Sequence, residues 1–277
     1  MNVRSGKSPR AVWVDEALLR RLADVVARRE PLVLVTVIRA SGSAPGKAGA
    51  KMIVTRDGLV GTVGGGKVEN AALARARTLL GGDAGPEVEE YHVTRDLGMT
   101  CGGSMTVLFE PMTPPPRLIV FGAGHLSQAL CSMASLAGFD VTVCDDRMEW
   151  ITEERFPGAK ERIPASFLEA IDRARIDAAT FVACVTPGHA TDQEVVLAVL
   201  ALGIRPRYLG VIGSRRKAAV FRKELIAKGV PPEEADRIHV PMGLDIGAVD
   251  PREIAVSITA ELVAVLRGTV NLLPWKP

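Results

Sequence analysis

The apolar run Arg117–Phe121 ends in Gly122-Ala-Gly124, a helical pattern follows from Leu126 to Ala137, and a second apolar run, Asp140–Cys144, closes on Asp145. A strand that turns through glycines into a helix, with a carboxylate 23 positions after Gly122 at the end of the next strand, leaves few folds open. The helix must cross over and bring the second strand parallel to the first. The alternation continues: the runs Ala179–Val185 and Arg207–Ile212 each precede a helical pattern. A last helix is expected from Pro251, at its first turn, to Arg267, with Ile254, Ile258, Leu262 and Val265 at helical spacing. This order predicts a Rossmann-like, doubly wound parallel sheet with helices on both faces.

The consecutive prolines Pro114, Pro115 and Pro116 mark a boundary in front of it. They remove backbone donors and hold the chain extended, so neither a helix nor a central strand runs through them. The expected division is an N-terminal domain over 1–112, a linker over 113–116 and a C-terminal domain over 117–277. In the first domain Asp15 caps a helix to about Arg29, with Leu18, Leu22, Val25 and Val26 on one face. A strand Leu32–Ile38 and a loop Ala40–Gly49 follow, then strands Met52–Thr55 and Leu59–Val63 on either side of the hairpin signal Asp57-Gly58. Gly64-Gly65-Gly66 opens a helix from about Lys67 to Leu80. Strands Val88–Thr94 and Met105–Phe109 flank the turn Leu97–Gly103. The domain is mixed α+β, without the regular alternation of its neighbour.

Lys+Arg 34 against Asp+Glu 32 and 4% aromatic residues argue against a nucleic-acid surface, which needs a basic excess and stacking rings. No uncharged run has the length of a membrane span, and the apolar stretch Ala11–Val14 behind a polar N-terminus is too short for a secretory leader. A cytoplasmic protein with a small-molecule or protein partner is expected. Cys101, Cys131, Cys144 and Cys184 are widely separated, which fits neither a disulfide framework nor a zinc site.

In an open α/β sheet the loops after the strands lie along one edge. That edge should gather Gly122, Gly124 and His125, the loop Thr186–His189, and the loop Gly213–Lys217. N–H groups at the helix starts would face a phosphate, Asp145 could accept from a ribose hydroxyl, and Ser214, Arg215 and Arg216 could hold an anion. The blander readings are a fold without its dinucleotide, a solvated basic face, and His125 and His189 as structural residues. In the N-terminal half, Gly64, Gly65 and Gly66 before a helix carrying Glu69 read as an anion cradle or as a tight strand-to-helix turn. Cys101 precedes Gly102-Gly103 in a turn, where a thiolate would be accessible to a soft metal or to sulfur. The other three cysteines sit in apolar runs, where buried small hydrophobes are the default.

Taken together, these segments resemble the xanthine dehydrogenase accessory factor family, XdhC/CoxI. The matching segments are Ser41–Pro45 with Gly49–Met52, Gly61–Glu69, Leu97–Gly103, Gly122–His125, Gly188-His189 with Asp192, Gly210–Lys217 and Gly243–Ala248. They run in family order from about residue 32 to 267. Ser127, where Gly or Ala is commoner, and Thr100, where some members have a second Cys, are departures. The resemblance implies a carrier of the molybdenum cofactor (molybdopterin) that supports its sulfuration and its insertion into an apo molybdenum hydroxylase of the xanthine dehydrogenase type. It also implies a cysteine desulfurase partner, a homodimer, Cys101 as metal or sulfur ligand, and no catalytic residue of its own. The alternatives are an NAD(P)-dependent oxidoreductase built on the Gly122 loop and Asp145, and a nucleotide-binding regulatory module. The oxidoreductase reading lacks a proton donor pair at a familiar spacing.

Overall fold

A computed structural model describes residues 15–82, 84–92 and 103–269, and the chain divides between Pro114 and Pro115 into two units. The N-terminal unit runs α1 (Glu16–Ala27), β1 (Leu32–Gly42), β2 (Lys51–Thr55), β3 (Gly58–Gly61), α2 (Gly66–Leu79), β4 (Glu87–His92) and β5 (Gly103–Met112). Its five strands form one antiparallel sheet in the order β3-β2-β1-β5-β4.

Side chains alternate across a strand, so each face of this sheet can be read from residue parity. Val33, Val35 and Val37 of β1 join Met52 and Val54 of β2 under Val68, Ala72 and Ala76 of α2. Leu32 and Ile53, one position out of phase, pack with Leu18 and Val25 of α1 on the opposite face. Asp15 caps α1 by accepting from the Leu18 N–H at 3.0 Å, while Val26, expected on the buried face, is exposed. Only a narrow stripe of α1 meets the sheet.

The strand expected to end at Ile38 continues to Gly42, into the segment expected as loop. Composition favoured a turn there, but pairing with β5 carries the backbone on: Ser41 faces Ser104 and Gly42 faces Gly103, after an irregularity in register between Val37 and Arg39. Val93 and Thr94 of the expected Val88–Thr94 strand, and the turn Leu97–Gly103 up to Gly102, lie outside the described residues.

The C-terminal unit runs β6 (Arg117–Phe121), α3 (His125–Leu136), β7 (Asp140–Asp145), β8 (Glu161–Pro164), α4 (Phe167–Ala174), β9 (Phe181–Cys184), α5 (His189–Ala201), β10 (Tyr208–Val211), α6 (Arg215–Ala227), α7 (Pro232–Ala235) and α8 (Pro251–Leu266). The strands are all parallel, in the order β10-β9-β6-β7-β8. This is the doubly wound order, with the switch point between β6 and β9. One face packs Ile119, Phe121, Val182 and Val211 against α4, α5 and α6. The other packs Leu118, Val120, Val141 and Phe181 against α3 and α8. Sheets buried on both faces read as continuous apolar runs, which is why β6, β7, β9 and β10 were visible in the sequence. The edge strand β8 was not: of Glu-Arg-Ile-Pro only Ile163 is buried. A capping box of Asp250 and Glu253, with Pro251 in the first turn, starts α8.

Candidate functional site

The turn after β6 is held by the chain itself before any ligand is considered. Gly122 has φ +109°, and a Cβ there would collide with the Val185 carbonyl oxygen at the end of β9. Its glycine identity is therefore needed for strand-to-loop packing. Gly124, the N-cap of α3, differs: a Cβ there meets nothing within 4 Å. Around it lies a cleft of about 330 Å³ lined by Gly124, His125, Leu126, Ser127, Arg147, Val185, Thr186, Pro187 and Ile212. It opens at the C-terminal ends of β6, β9 and β10, where open α/β sheets bind ligands.

Asp145, at the end of β7, is fully buried, and its carboxylate is engaged within the loop. It accepts from the Ala123 N–H at 2.6 Å, from the Arg147 N–H at 3.0 Å, and from Arg147 Nε and Nη2 at 2.8 and 2.7 Å. Burial alone would raise its pKa, but the hydrogen bonds from Arg147 and Ala123 outweigh that and hold it below the usual carboxylate range. The expected ribose acceptor is thus a brace that ties the glycine turn to Arg147. The guanidinium groups of Arg147 and Arg155 lie 4.5 and 4.6 Å from the centre of the Trp150 ring, and His125 meets the same ring edge-on at 6.1 Å.

Ser127 is buried in the first turn of α3, and its Oγ has no hydrogen-bond partner among the described residues. A buried hydroxyl left unpaired costs about 1–3 kcal/mol. Thr186, across the cleft, is engaged: its Oγ1 donates to the buried Asp192 carboxylate at 2.7 Å, and Lys217 Nζ donates to the same carboxylate at 2.9 Å and to the Ile212 carbonyl at 3.1 Å. One ion pair on a buried carboxylate therefore ties together the segments that follow β9 and β10.

His189 is turned to α6, where its Nε2 meets Glu224 at 2.7 Å and its ring packs on Phe221. Its Nδ1 is buried without a partner among the described residues. Ser214 caps α6 by accepting from the Lys217 N–H at 3.3 Å, Arg215 pairs with Asp245, and Arg216 is exposed. At this loop it is Ile212 that lines the cleft. The convergence of the three loops was legible from the sequence. That Arg147, Thr186 and Lys217 bond to buried carboxylates is set by the tertiary structure, because no spacing rule marks the partner of a buried carboxylate.

In the N-terminal unit the Gly64–Gly66 turn receives an internal anion. Glu69 Oε2 accepts from the Val63 and Gly65 N–H groups at 3.1 Å each and from the Thr62 hydroxyl, and the Gly64 N–H donates to Thr62 Oγ1 at 3.0 Å. Chiefly the Thr62 hydrogen bond keeps the Glu69 pKa low. The expected cradle is formed, and the Glu69 carboxylate occupies it. A Cβ on Gly64 would overlap Pro45 and Gly46, and one on Gly103 would come within 2.8 Å of Ser41 and Ala44 backbone atoms. The segments 41–46, 63–69 and 103–104 are thus packed together, with Ser41 and Ser104 hydroxyls 2.9 Å apart. Cys101 and Gly102 lie outside the described residues. Cys131, Cys144 and Cys184 are buried, and burial pushes each thiol up.

The fold and cleft define a Rossmann-type α/β unit that follows, along the chain, an antiparallel α+β unit carrying glycine-rich loops. The XdhC Rossmann domain model matches residues 118–262 and the XdhC and CoxI family model matches residues 25–92. The chain belongs to the XdhC and CoxI family. It is 34% identical over 253 residues to the uncharacterized protein YqeB of Escherichia coli K12, covering 89% of this chain and 46% of that one. It therefore spans about half the length of YqeB. It is 25% identical over 314 aligned positions to the molybdenum cofactor insertion chaperone PaoD of the same organism, covering 94% and 92% of the two chains. A crystal structure described as a xanthine dehydrogenase from Bacillus halodurans shares the fold over 90% of this chain and 96% of that one, at 24% identity and a TM-score of 0.50.

Proposed function

We propose that this protein is an accessory factor that binds the molybdenum cofactor, holds it for sulfuration and passes it to an apo molybdenum hydroxylase of the xanthine dehydrogenase type. The observation that carries the reading is likeness along nearly the full length of both chains to a protein named as a molybdenum cofactor insertion chaperone. The cargo is a pterin bearing a phosphate and a metal held by sulfur. Gly103, two residues after Cys101, packs against the Ser41–Ala44 backbone. In this reading Cys101 is the soft ligand for molybdenum or sulfur. The paired charges Asp145–Arg147 and Asp192–Lys217 brace loops around a cleft, an arrangement suited to holding a ligand. A cysteine desulfurase as sulfur donor, a homodimer and a cytoplasmic location belong to the same proposal.

The second reading, an NAD(P)-dependent oxidoreductase, is favoured by the strand order of the parallel sheet. It loses its ribose acceptor, because Asp145 is buried and bonded within the loop.

Protein purified anaerobically from cells that make the cofactor should contain pterin, read by fluorescence after oxidation, and molybdenum, read by mass spectrometry. Cys101→Ser should lower the retained molybdenum and Cys131→Ser should not. Protein that neither carries nor takes up either component, with a known carrier binding in parallel, refutes the reading.

A further inference from the structure

A second cavity, of about 360 Å³, opens at the start of β10 and shares no lining residue with the cleft at the other end of that strand. Leu200, Leu209, Ile238 and Val265 give it apolar walls, which suit an organic molecule better than a bare ion. Its charged groups are Arg205, Arg207, Arg237, Glu234 and Asp236, and they do not cancel. Arg205 pairs with Glu234, while Asp236 pairs at 2.5 and 3.0 Å with Arg222 of α6, which stands outside the lining. Among the described residues Arg207 Nη2 meets only carbonyl oxygens, those of Leu266 at 2.7 Å and Val265 at 3.4 Å. The exposed Arg237 side chain has no hydrogen bond or ion pair among the described residues. Two guanidinium groups are thus left without a carboxylate, and guanidinium matches a carboxylate in both charge and shape.

His239 adds an acceptor to the same wall. Its Nδ1 lies 2.8 Å from Glu261 Oε1, and Glu261 Oε2 accepts from Tyr208 and from the Gly243 N–H. A carboxylate so bonded stays ionised and can only accept, so Nδ1 is the donor and the neutral imidazole carries its lone pair on Nε2. The Glu261 bond and the Tyr208 ring, 4.4 Å away between centroids, fix the orientation of the imidazole. Nε2 has no partner among the described residues and is not enclosed by them.

We propose that this cavity is a site for a small hydroxylated organic acid, its carboxylate held by Arg207 and Arg237 and its hydroxyl donating to His239 Nε2. The inference goes beyond the carrier reading and does not depend on it.

The test titrates 3- and 4-hydroxybenzoate, benzoate and benzyl alcohol into the full chain by calorimetry, with backbone amide shifts followed by NMR. One of the hydroxybenzoates should saturate, moving the Leu209 and Ile238 amides and not those of Gly124 and Ser127. Benzoate, without the hydroxyl, should bind about three- to tenfold more weakly, and benzyl alcohol, without the charge, more weakly than the hydroxybenzoate by about tenfold or more. Arg237→Gln should weaken both acids by about tenfold, whereas Arg252→Gln, the same change on an exposed residue of α8 outside the cavity, should not. His239→Asn keeps an N–H near the Nδ1 position for Glu261 and removes Nε2, so it should fold and bind benzoate and hydroxybenzoate alike. No saturable binding by the parent, shifts confined to the cleft, parent-like binding by Arg237→Gln, or equal losses in Arg237→Gln and Arg252→Gln overturn the site. Equal binding of benzoate and both hydroxybenzoates by the parent, or a preference that survives in His239→Asn, overturns the role of Nε2. The parent's preference decides that role even if His239→Asn fails to fold.

Discussion

Glu261 in α8 is a buried carboxylate that serves three separate residues of the C-terminal unit, and its removal has a calculable consequence. Tyr208 Oη and the Gly243 N–H donate to its Oε2 at 2.6 Å each, and His239 Nδ1 lies 2.8 Å from Oε1. Glu261→Ala leaves three donors facing a space that no acceptor fills, and the Tyr208 phenol is almost wholly buried. At about 1–3 kcal/mol for each unpaired donor, reduced where the Gly243 loop can turn to water, the loss comes to about 3–5 kcal/mol. For a unit of this size that is a fall in melting temperature of roughly 6–20 °C. Glu261→Gln should cost less, because an amide oxygen can keep Tyr208 and Gly243 while the amide N–H₂ donates to a neutral His239. Urea unfolding followed by circular dichroism gives the magnitude, and hydrogen exchange at the Gly243 amide reports the local bond.

The acid limb has a definite sign. Burial alone would raise the Glu261 pKa, but the hydrogen bond and charge of His239, with Tyr208 and Gly243, hold it below the ordinary value. A depressed folded-state pKa adds stability that is fully present above the unfolded value of about 4.3 and is lost as the pH falls through the folded value. The parent's margin over Glu261→Ala should hold down to about that pH and shrink below it. A margin under about 1 kcal/mol at neutral pH, or unchanged exchange at Gly243, would refute the assignment of these donors to Glu261.

Lys217→Met strips the cation from the buried Asp192 and should cost about 3–5 kcal/mol in urea unfolding. Gly122→Ala forces a φ of +109° on an L-residue and drives its Cβ into the Val185 carbonyl, so it should destabilise the C-terminal unit by about 3 kcal/mol or more. A thiol reagent at neutral pH should leave Cys131, Cys144 and Cys184 unmodified in the native protein and reach them only on unfolding, as peptide mapping would show.

Local pattern carried most of the C-terminal fold. Strands buried on both faces must be apolar throughout, and a glycine turn between strand and helix restricts the connection to a crossover, so β6, α3 and β7 could be placed from residues 117–145 alone. The same logic failed at β8, where an edge strand buries a single side chain and leaves almost no pattern. It failed also at β1, whose last residues look like a loop until β5 supplies the pairing that extends them.

The site shows a similar division. The gathering of the Gly122, Thr186 and Gly213 loops at one edge follows from strand direction, which alternation in the sequence already dictates. Which side chains remain available there does not follow, because hydrogen bonding is settled by neighbours far apart in the chain. Asp145 is a ribose acceptor by position, yet Arg147 and Ala123 consume its lone pairs. Glu69 sits beside an anion cradle by position, yet its own carboxylate fills it. Ser127 reads as a packing substitute, but burial at the cleft wall leaves its hydroxyl without a partner among the described residues. Periodicity determines which face of an element is buried; only the tertiary structure decides which buried polar groups are already satisfied, since each can be paired only once its neighbours are in place.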